Sequence, residues 1–165
     1  MEHEKHKQIL ARDMMTRKVI SVLPETPIVD AARIISEHNF DGLPVIDANN
    51  QLVGIITEYD LITKTSNINV SLLERILGDI RGDELNNDDN KKLSTMKASD
   101  IMNTEPLALK EESTFEEVMR TFIAHHKVNP IPIVNDKNEV IGIISRFDVL
   151  RPLNLLGYGT QDKKK

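Results

Sequence analysis

The sequence predicts an α/β (α+β) chain made of two similar β-α-β-β-α units. The main observation is a repeat, since Asp13-Met14-Met15 recurs 87 residues later as Asp100-Ile101-Met102. Self-similarity at a fixed offset indicates a duplicated structural unit. Each copy is followed by a helical apolar stripe and then by two short apolar segments that a turn separates. These three features occur in the same order in both halves.

Each half contains an amphipathic helix at the equivalent place. Apolar residues follow the i, i+3, i+4, i+7 rule of a helix with one buried face; they are Ile28, Ala31, Ala32 and Ile35, and 87 residues later Phe115, Val118, Met119 and Phe122. Thr26-Pro27 predicts an N-cap followed by proline at the first helical position. Ser113-Thr114-Phe115-Glu116 predicts a capping box.

A β-hairpin is predicted after each amphipathic helix. Leu43-Pro44-Val45-Ile46-Asp47 has its counterpart 88 residues later in Ile131-Pro132-Ile133-Val134-Asn135. Turn-forming residues and a glycine-containing apolar run follow each segment, which is the pattern of two strands joined by a turn. One extra residue in the loop from Ala124 to Pro130 accounts for the shift from 87 to 88. A closing helix is predicted to start near Glu58 and near Arg146.

The predicted organisation is an N-terminal tail (1–10), a first unit (11–67), a connection (68–96), a second unit (97–153) and a C-terminal tail (154–165). In the connection a helical stripe precedes a polar run, 82–90; the stripe consists of Leu73, Ile76, Leu77 and Ile80. It either covers the core or meets a partner. A unit of about 60 residues is marginally stable alone, so we expect the two units to pack together.

Composition excludes several classes of function. The formal net charge of -5 disfavours general nucleic-acid binding, which depends on clustered Lys and Arg. The apolar runs are too short for a bilayer, and the charged start leads into no apolar signal region; we therefore expect a cytoplasmic protein without a membrane segment. The chain has no cysteine, and its histidines form no recognisable metal pattern.

Catalysis is disfavoured on the same grounds. The sequence contains neither a P-loop nor a G-x-G-x-x-G motif, and no nucleophile elbow places a serine beside a base. We expect a protein that is not an enzyme and that uses no catalytic cofactor.

Two copies of a G-h-h-[ST]-x-x-D motif, with h an apolar residue, carry a family resemblance. They are Gly54-Ile55-Ile56-Thr57-Glu58-Tyr59-Asp60 and Gly142-Ile143-Ile144-Ser145-Arg146-Phe147-Asp148. With the D-h-M segments and the apolar-Pro-apolar strands, they make the chain from Ala11 to Leu153 resemble a tandem pair of cystathionine-β-synthase (CBS) domains, called a Bateman module. The resemblance implies two halves related by a pseudo-twofold axis, packed through their sheets, with two clefts for AMP, ADP, ATP or S-adenosylmethionine.

The motif suits a ribose. A carboxylate accepts strong hydrogen bonds from two hydroxyls, so Asp60 and Asp148 are the expected ribose-binding residues. Thr57 and Ser145 add hydroxyls, and the motif glycines let a ligand or a neighbouring backbone come close. The alternative is that Thr57-x-x-Asp60 and Ser145-x-x-Asp148 only cap the helices that follow them.

The resemblance also implies main-chain contacts to the base at the proline strands. It further implies that the first strand of one half lies beside the Asp motif of the other, so that Asp60 shares a cleft with 103–107 and Asp148 with 16–21. The ligand-binding residues expected in full are Thr16, Val19, Ile20, Ser21, Leu43, Pro44, Val45, Thr57, Asp60, Thr104, Pro106, Leu107, Ile131, Pro132, Ile133, Ser145, Arg146 and Asp148.

The two clefts are expected to differ. Arg146 can attract a phosphate where the equivalent Glu58 would repel it, so the Asp148 cleft is the expected phosphate site. Many nucleotide-binding CBS proteins carry basic residues just before the proline strand, but this chain has Asp41-Gly42 and Asn129-Pro130. His126 and Lys127 lie close enough in sequence to compensate. We therefore expect AMP or ADP to bind more strongly than ATP.

The expected function is a regulatory, energy-sensing module that binds an adenosine ligand, forms a homodimer and signals to a separate effector protein. The alternative is a ligand-free dimerisation or docking scaffold.

Overall fold

The computed structural model describes residues 8–65 and 95–152. The chain divides into two compact units, one of Ile20–Pro106 and one of Met1–Val19 with Leu107–Lys165. We call them the Asp60 unit and the Asp148 unit. Each unit combines parts of both sequence repeats, because the chain passes between units after Val19 and after Pro106. The predicted helical stripe and polar run of the connection lie outside the described residues.

The described part of the Asp60 unit contains three helices and one hairpin. Its elements are α2 (Ile28–His38), β1 (Gly42–Ile46), β2 (Leu52–Thr57), α3 (Glu58–Thr65) and α4 (Ala98–Ile101). β1 and β2 pair antiparallel. Val22 extends the sheet by a parallel bridge to Val45, and Asn103 by an antiparallel bridge to Ile55. The residues around Asn103 therefore lie along the strand that leads to Asp60.

The Asp148 unit repeats this arrangement. Its elements are α1 (Ala11–Met14), α5 (Phe115–Ala124), β3 (Ile131–Val134), β4 (Val140–Ile144) and a 3₁₀ helix (Arg146–Leu150). β3 and β4 pair antiparallel. Leu109 bridges Ile133 in parallel, and Thr16 bridges Ile143 in antiparallel orientation. Thr16 therefore lies beside β4 in the same way as Asn103 lies beside β2.

Both amphipathic helices are confirmed, with their caps one residue away from the predicted places. In α2 the predicted stripe is buried, but the N-cap is Pro27 and the Thr26 hydroxyl accepts from Leu23 N–H instead. The Ile28 N–H donates to Met96 O at 3.0 Å, which replaces a side-chain cap. In α5 the capping box joins Thr114 to Glu117 rather than starting at Ser113.

The hairpins are confirmed, and their turns have the same chemistry. Asp47 Oδ1 accepts from the N–H groups of Asn49 and Gln51, and Asn135 Oδ1 accepts from those of Lys137 and Glu139. Asn50 and Asn138 adopt positive φ angles of 62° and 63°, a conformation that asparagine tolerates better than most residues. The side chains thus hold equivalent turns in both units.

One predicted element differs from the structure. The first strand of each half is absent as a continuous strand, since its residues form single bridges at Thr16, Val22, Asn103 and Leu109. The chain moves from one unit to the other within each of these segments, so no run of residues stays beside one partner strand. The closing helix of the second half begins near Arg146 as predicted, with a 3₁₀ helix of five residues, and α-helix follows at Arg151 and Pro152, where the described residues end.

Each unit has its own hydrophobic core. The Asp60 unit buries its α2 stripe against both strands and against Ala98 and Ile101 of α4. The Asp148 unit buries Val118 and Phe122 of α5 with Ala11 and Met14 of α1. Burial of such apolar side chains is the main stabilising term in folding, so each core requires the D-h-M segment of the other repeat.

The motif glycines are required by these same segments. A Cβ added at Gly54 would lie 2.6 Å from the Met102 sulfur and 3.0 Å from the Asn103 carbonyl oxygen. A Cβ at Gly142 would overlap the Met15 side chain. Of the two expected uses of these glycines, the structure shows the close approach of a neighbouring protein segment.

We predict that Gly54→Ala lowers the free energy of unfolding by about 1–3 kcal/mol, because the added methyl group overpacks against a main-chain oxygen that cannot rotate away. Urea denaturation measures the change. Gly142→Ala is the matched variant: its overlap is with Met15 side-chain atoms alone, so Met15→Ala should offset part of its cost. An unchanged midpoint for Gly54→Ala would contradict the role of this contact.

Candidate functional site

Asp60 lies at the start of α3, directly after β2, and its carboxylate caps this helix. Its Oδ2 accepts from Thr57 N–H at 3.0 Å and from Thr57 Oγ1 at 2.7 Å. The Asp60 N–H in turn donates to Thr57 Oγ1 at 3.2 Å. The side chain is buried, and a buried carboxylate needs such partners. Thr57 and Asp60 therefore form a closed pair at the helix N-terminus.

The second oxygen of Asp60 is held by a lysine. Lys64 Nζ lies 3.1 Å from Asp60 Oδ1, and it also donates to the main-chain oxygen of Ile101 at 2.6 Å. Ile101 is the last residue of α4, where carbonyl groups lack partners within the helix. One ammonium group thus joins the motif carboxylate to the D-h-M segment beside it.

The same arrangement recurs around Asp148. Its Oδ2 accepts from Ser145 N–H at 2.7 Å and from Ser145 Oγ at 3.0 Å. Arg151 Nη2 pairs with Asp148 Oδ1 at 2.8 Å. Arg151 Nη1 donates to Met14 O at 3.1 Å and its Nη2 donates to Thr16 Oγ1 at 3.0 Å. Met14 ends α1 as Ile101 ends α4, so a cation joins the carboxylate to the same main-chain position in both units.

The capping interpretation therefore describes both carboxylates: each has one oxygen in a cap and the other in an ion pair. The two uses differ in kind. The cap is built from the adjoining residues of the motif, whereas the ion pair depends on a long side chain that is about half exposed, 44% for Lys64 and 47% for Arg151. Water can hydrate such a cation when it leaves. Oδ1 is accordingly the oxygen that a ligand can reach at least cost.

The side chains of the expected residues in the proline strands are buried. Leu43, Pro44 and Val45 are buried, as are Ile131, Pro132 and Ile133. Leu43 and Val45 belong to the core of the Asp60 unit, and Ile131 and Ile133 to that of the Asp148 unit, so these four side chains are not available to a ligand. The carbonyl oxygens of both prolines already accept hydrogen bonds, from the N–H groups of Val22 and Leu109 respectively.

The remaining expected residues divide between the units. Ile20, Ser21, Thr104 and Pro106 lie in the Asp60 unit, and Thr16, Val19 and Leu107 lie in the Asp148 unit. The exchange of first segments that the resemblance implies is present at Thr16 and Asn103, which pair with β4 and β2. Thr16 also contacts the ion pair of Asp148 through Arg151.

Charge distinguishes the two units. Burial raises the pKa of the Glu58 carboxyl above its ordinary value of 4.5, and the negative charges of Asp41 and Asp60 raise it further. The equivalent positions in the other unit are Asn129 and Arg146. The Asp60 unit therefore concentrates negative charge where the Asp148 unit carries a cation.

The Arg146 side chain is fixed on the loop before β3. Its Nη2 donates to the main-chain oxygen of His126, and its guanidinium lies 6.0 Å from the centre of the Phe122 ring. The main-chain N–H of Arg146 donates to Asn129 Oδ1 at 3.1 Å. Arg146 is thus held beside the loop that contains His126 and Lys127, the residues expected from the sequence to assist phosphate binding.

Sequence reasoning missed Lys64 and Arg151. The signal was present, because a cation three or four residues after an acid on a helix lies on the same face. The spacing alone did not distinguish these pairs from ordinary surface pairs such as Arg120–Glu116. Their contact with the carbonyls of Ile101 and Met14 arises only in the folded unit.

Within residues 8–65 and 95–152, no group of three His, Cys, Asp or Glu side chains could hold a metal ion. Across the same residues, no helix has the length and apolar character needed to cross a membrane.

Comparison with known proteins identifies the family. The CBS domain family matches the chain twice, over residues 11–67 and 98–154. The chain belongs to the CBS domain family. It is a tandem CBS pair with the predicted α/β fold class.

The relatives include binding proteins and enzymes. Inosine-5'-monophosphate dehydrogenase of Methanocaldococcus jannaschii is 29% identical over 86% of this chain and 23% of its own length. CBSX2 of Arabidopsis thaliana, a chloroplastic CBS domain-containing protein, is 29% identical over 79% of this chain and 56% of its own. The chain thus spans from about a quarter to about half of these curated relatives.

A crystal structure of CBSX2 in complex with AMP superimposes with a TM-score of 0.68 and 26% identity, covering 90% of this chain and 98% of that one. At least one similar CBS pair therefore binds an adenosine ligand.

We predict that Glu58→Gln becomes increasingly stabilising, relative to the native protein, as pH rises above 4.5. With the pKa of Glu58 raised on folding, the folded state holds more protons than the unfolded state between the ordinary and the raised value. The free energy of unfolding therefore falls as pH rises through that interval, and glutamine removes this loss. Urea denaturation of both proteins from about pH 4 to about pH 7 measures the difference. A pH-independent difference would contradict the raised pKa.

Proposed function

We propose that this CBS pair is a regulatory module that binds an adenosine ligand at Asp60 and Asp148 and signals its presence to a separate effector protein. The observation that carries the proposal is the doubled motif geometry. In both units a hydroxyl lies within 3.0 Å of a carboxylate, beside a segment contributed by the other repeat. The AMP complex of CBSX2 supports the choice of ligand class.

The chemistry of the proposed sites follows from the donors and acceptors. Ribose hydroxyls donate to the carboxylate, and a charged acceptor strengthens these bonds. Main-chain groups near the proline strands contact the base. S-adenosylmethionine offers the same ribose and is a second possible ligand.

Phosphate groups are proposed to favour the Asp148 unit. Arg146 is held beside the loop of His126 and Lys127, whereas in the Asp60 unit Glu58 and Asp41 repel an anion. The absence of basic residues at positions 41–42 and 129–130 leaves few cations for a triphosphate, so AMP or ADP should bind more strongly than ATP.

We propose no reaction for this chain. Its similarity to inosine-5'-monophosphate dehydrogenase covers 23% of that enzyme, and the residues of the proposed sites bind rather than react. The module is proposed to act without a catalytic cofactor, in the cytoplasm.

A ligand-free scaffold is the second candidate, and the caps favour it. Both carboxylates already have partners at each oxygen, which is sufficient reason for an aspartate at these positions. The two candidates differ in whether an adenosine compound stabilises the folded protein.

We predict that AMP and ADP raise the melting temperature more than ATP does, because a ligand that binds the folded state stabilises it by mass action. Asp148→Ala should weaken AMP binding by about tenfold or more, the value of one charge-assisted hydrogen bond. Asp60→Ala should weaken it less. Titration calorimetry gives the ranking, and S-adenosylmethionine is tested in parallel.

Loss of a cap must be separated from loss of a site. Asp13→Ala and Asp100→Ala are matched controls, because Asp13 and Asp100 cap short helices by accepting from the N–H groups of Leu10 and Lys97 outside the expected ligand residues. They should lower stability and leave AMP affinity unchanged. A melting temperature that none of the four compounds shifts would favour the scaffold.

A homodimer is proposed from exposed apolar side chains at equivalent positions. Tyr59 and Phe147, 88 residues apart, are 53% and 77% exposed. Ile62 and Leu150, also 88 residues apart, are 51% and 54% exposed. Tyr59 and Ile62 are three residues apart on α3, and Phe147 and Leu150 are three apart on the 3₁₀ helix. Exposed apolar side chains grouped on one helix in this way mark interaction sites, and a second copy of the chain presents the same groups.

We predict that Phe147→Glu or Tyr59→Glu shifts the protein from dimer to monomer. Each large apolar side chain contributes about 1.5–3 kcal/mol when buried, so the dissociation constant should rise roughly tenfold or more. Light scattering after size-exclusion chromatography measures the mass. Ile123→Glu, at another exposed apolar residue, is the control and should leave the mass unchanged; a native protein that is already monomeric would refute the proposal.

A further inference from the structure

We propose that Lys64 and Arg151 set the affinity and phosphate preference of the two adenosine sites by competing with the ligand for the motif carboxylates. This inference rests on the proposed function, since it assumes that a ribose binds to Asp60 and Asp148. The oxygen that each cation holds, Oδ1, is the one outside the helix cap. A ribose hydroxyl that takes this oxygen must displace or share the cation.

The recurrence of this contact argues against a chance surface pair. Lys64 follows Asp60 by four residues, whereas Arg151 follows Asp148 by three. Residue type and spacing both differ, yet both cations reach the main-chain oxygen of the equivalent helix end, Ile101 in one unit and Met14 in the other. Each cation therefore joins the carboxylate to the D-h-M segment.

Burial determines which partner yields. The carboxylate side chains are 13% exposed for Asp60 and 9% for Asp148, whereas the cations are about half exposed. A released cation regains water, but a released carboxylate oxygen near the core needs another donor. Ribose hydroxyls supply such donors. Replacement of the cation by a ribose hydroxyl is therefore favoured over breaking the ion pair without a new partner for the carboxylate.

The two cations should yield unequally. Arg151 contacts three acceptors, Asp148, Met14 and Thr16, and its planar fork holds them in fixed directions. Lys64 contacts the carboxylate and one carbonyl. A ligand without phosphate should therefore displace Lys64 more easily than Arg151.

Phosphate changes this balance. A cation displaced by the ribose can pair with the phosphate of AMP, but adenosine gives it no new partner. Removal of the cation should consequently strengthen adenosine binding and strengthen AMP binding less. The affinity ratio of AMP to adenosine then reports the cation directly.

The experiment isolates one unit at a time. Lys64→Met is made in an Asp148→Ala background and Arg151→Met in an Asp60→Ala background, and adenosine and AMP are titrated by calorimetry. Arg33→Met and Arg120→Met are matched controls, since Arg33 and Arg120 form exposed helical ion pairs with Asp30 and Glu116. Circular dichroism melts verify folding, and Arg151→Lys keeps the charge with fewer contacts if Arg151→Met unfolds.

We expect adenosine affinity to rise about tenfold in Lys64→Met, by the value of one charge-assisted hydrogen bond, and to rise further in Arg151→Met, with a smaller rise in Arg151→Lys than in Arg151→Met. The preference for AMP over adenosine should fall, and the controls should match their parents. If a parent protein binds AMP and its folded methionine variant binds adenosine no more tightly than the parent does, the proposed competition is wrong, while the adenosine site itself stands. If the native protein binds neither compound, the adenosine sites themselves are refuted, and the competition with them.

Discussion

The contact on which both units depend is the packing of a D-h-M segment against the glycine of the other repeat's motif. Met102 lies against Gly54 and Met15 against Gly142, where no Cβ could be accommodated without displacement. Single bridges from Asn103 and Thr16 continue each sheet at the same place. Ile101 and Met14, which precede these methionines, each end a short helix. Their main-chain oxygens accept hydrogen bonds from Lys64 and Arg151 respectively.

This packing gives the motif aspartates two roles in one position. Oδ2 stabilises the local turn into the helix, and Oδ1 joins that helix to the D-h-M segment through a cation. A ligand that engages Oδ1 alone can alter the link between segments while the cap stays intact. Such a difference between bound and unbound contacts is what a regulatory module requires, since a ligand shifts an equilibrium only through differential interactions.

The two units share this framework but not its charges. In the Asp60 unit, Glu58 with a raised pKa lies near Asp41 and Asp60, and the cation is a lysine. In the Asp148 unit Arg146 replaces the glutamate, and the cation is an arginine with three acceptors. Duplication therefore gave two motif carboxylates of one geometry that differ in electrostatics. Under the proposed function, this difference lets the two units respond to different adenosine compounds or to different concentrations of one.

The sequence by itself determined the duplicated architecture, because apolar periodicity, turn residues and the doubled motif are local signals that both halves repeat. It located Asp60 and Asp148, but a cap and a ribose site use the same residues at the same spacing. Tertiary structure decided what local pattern could not: which segment packs on which glycine, that the first strands shorten to single bridges, and that Lys64 and Arg151 reach main-chain oxygens 37 and 137 residues away. Those contacts join residues distant in sequence, and no local periodicity records them.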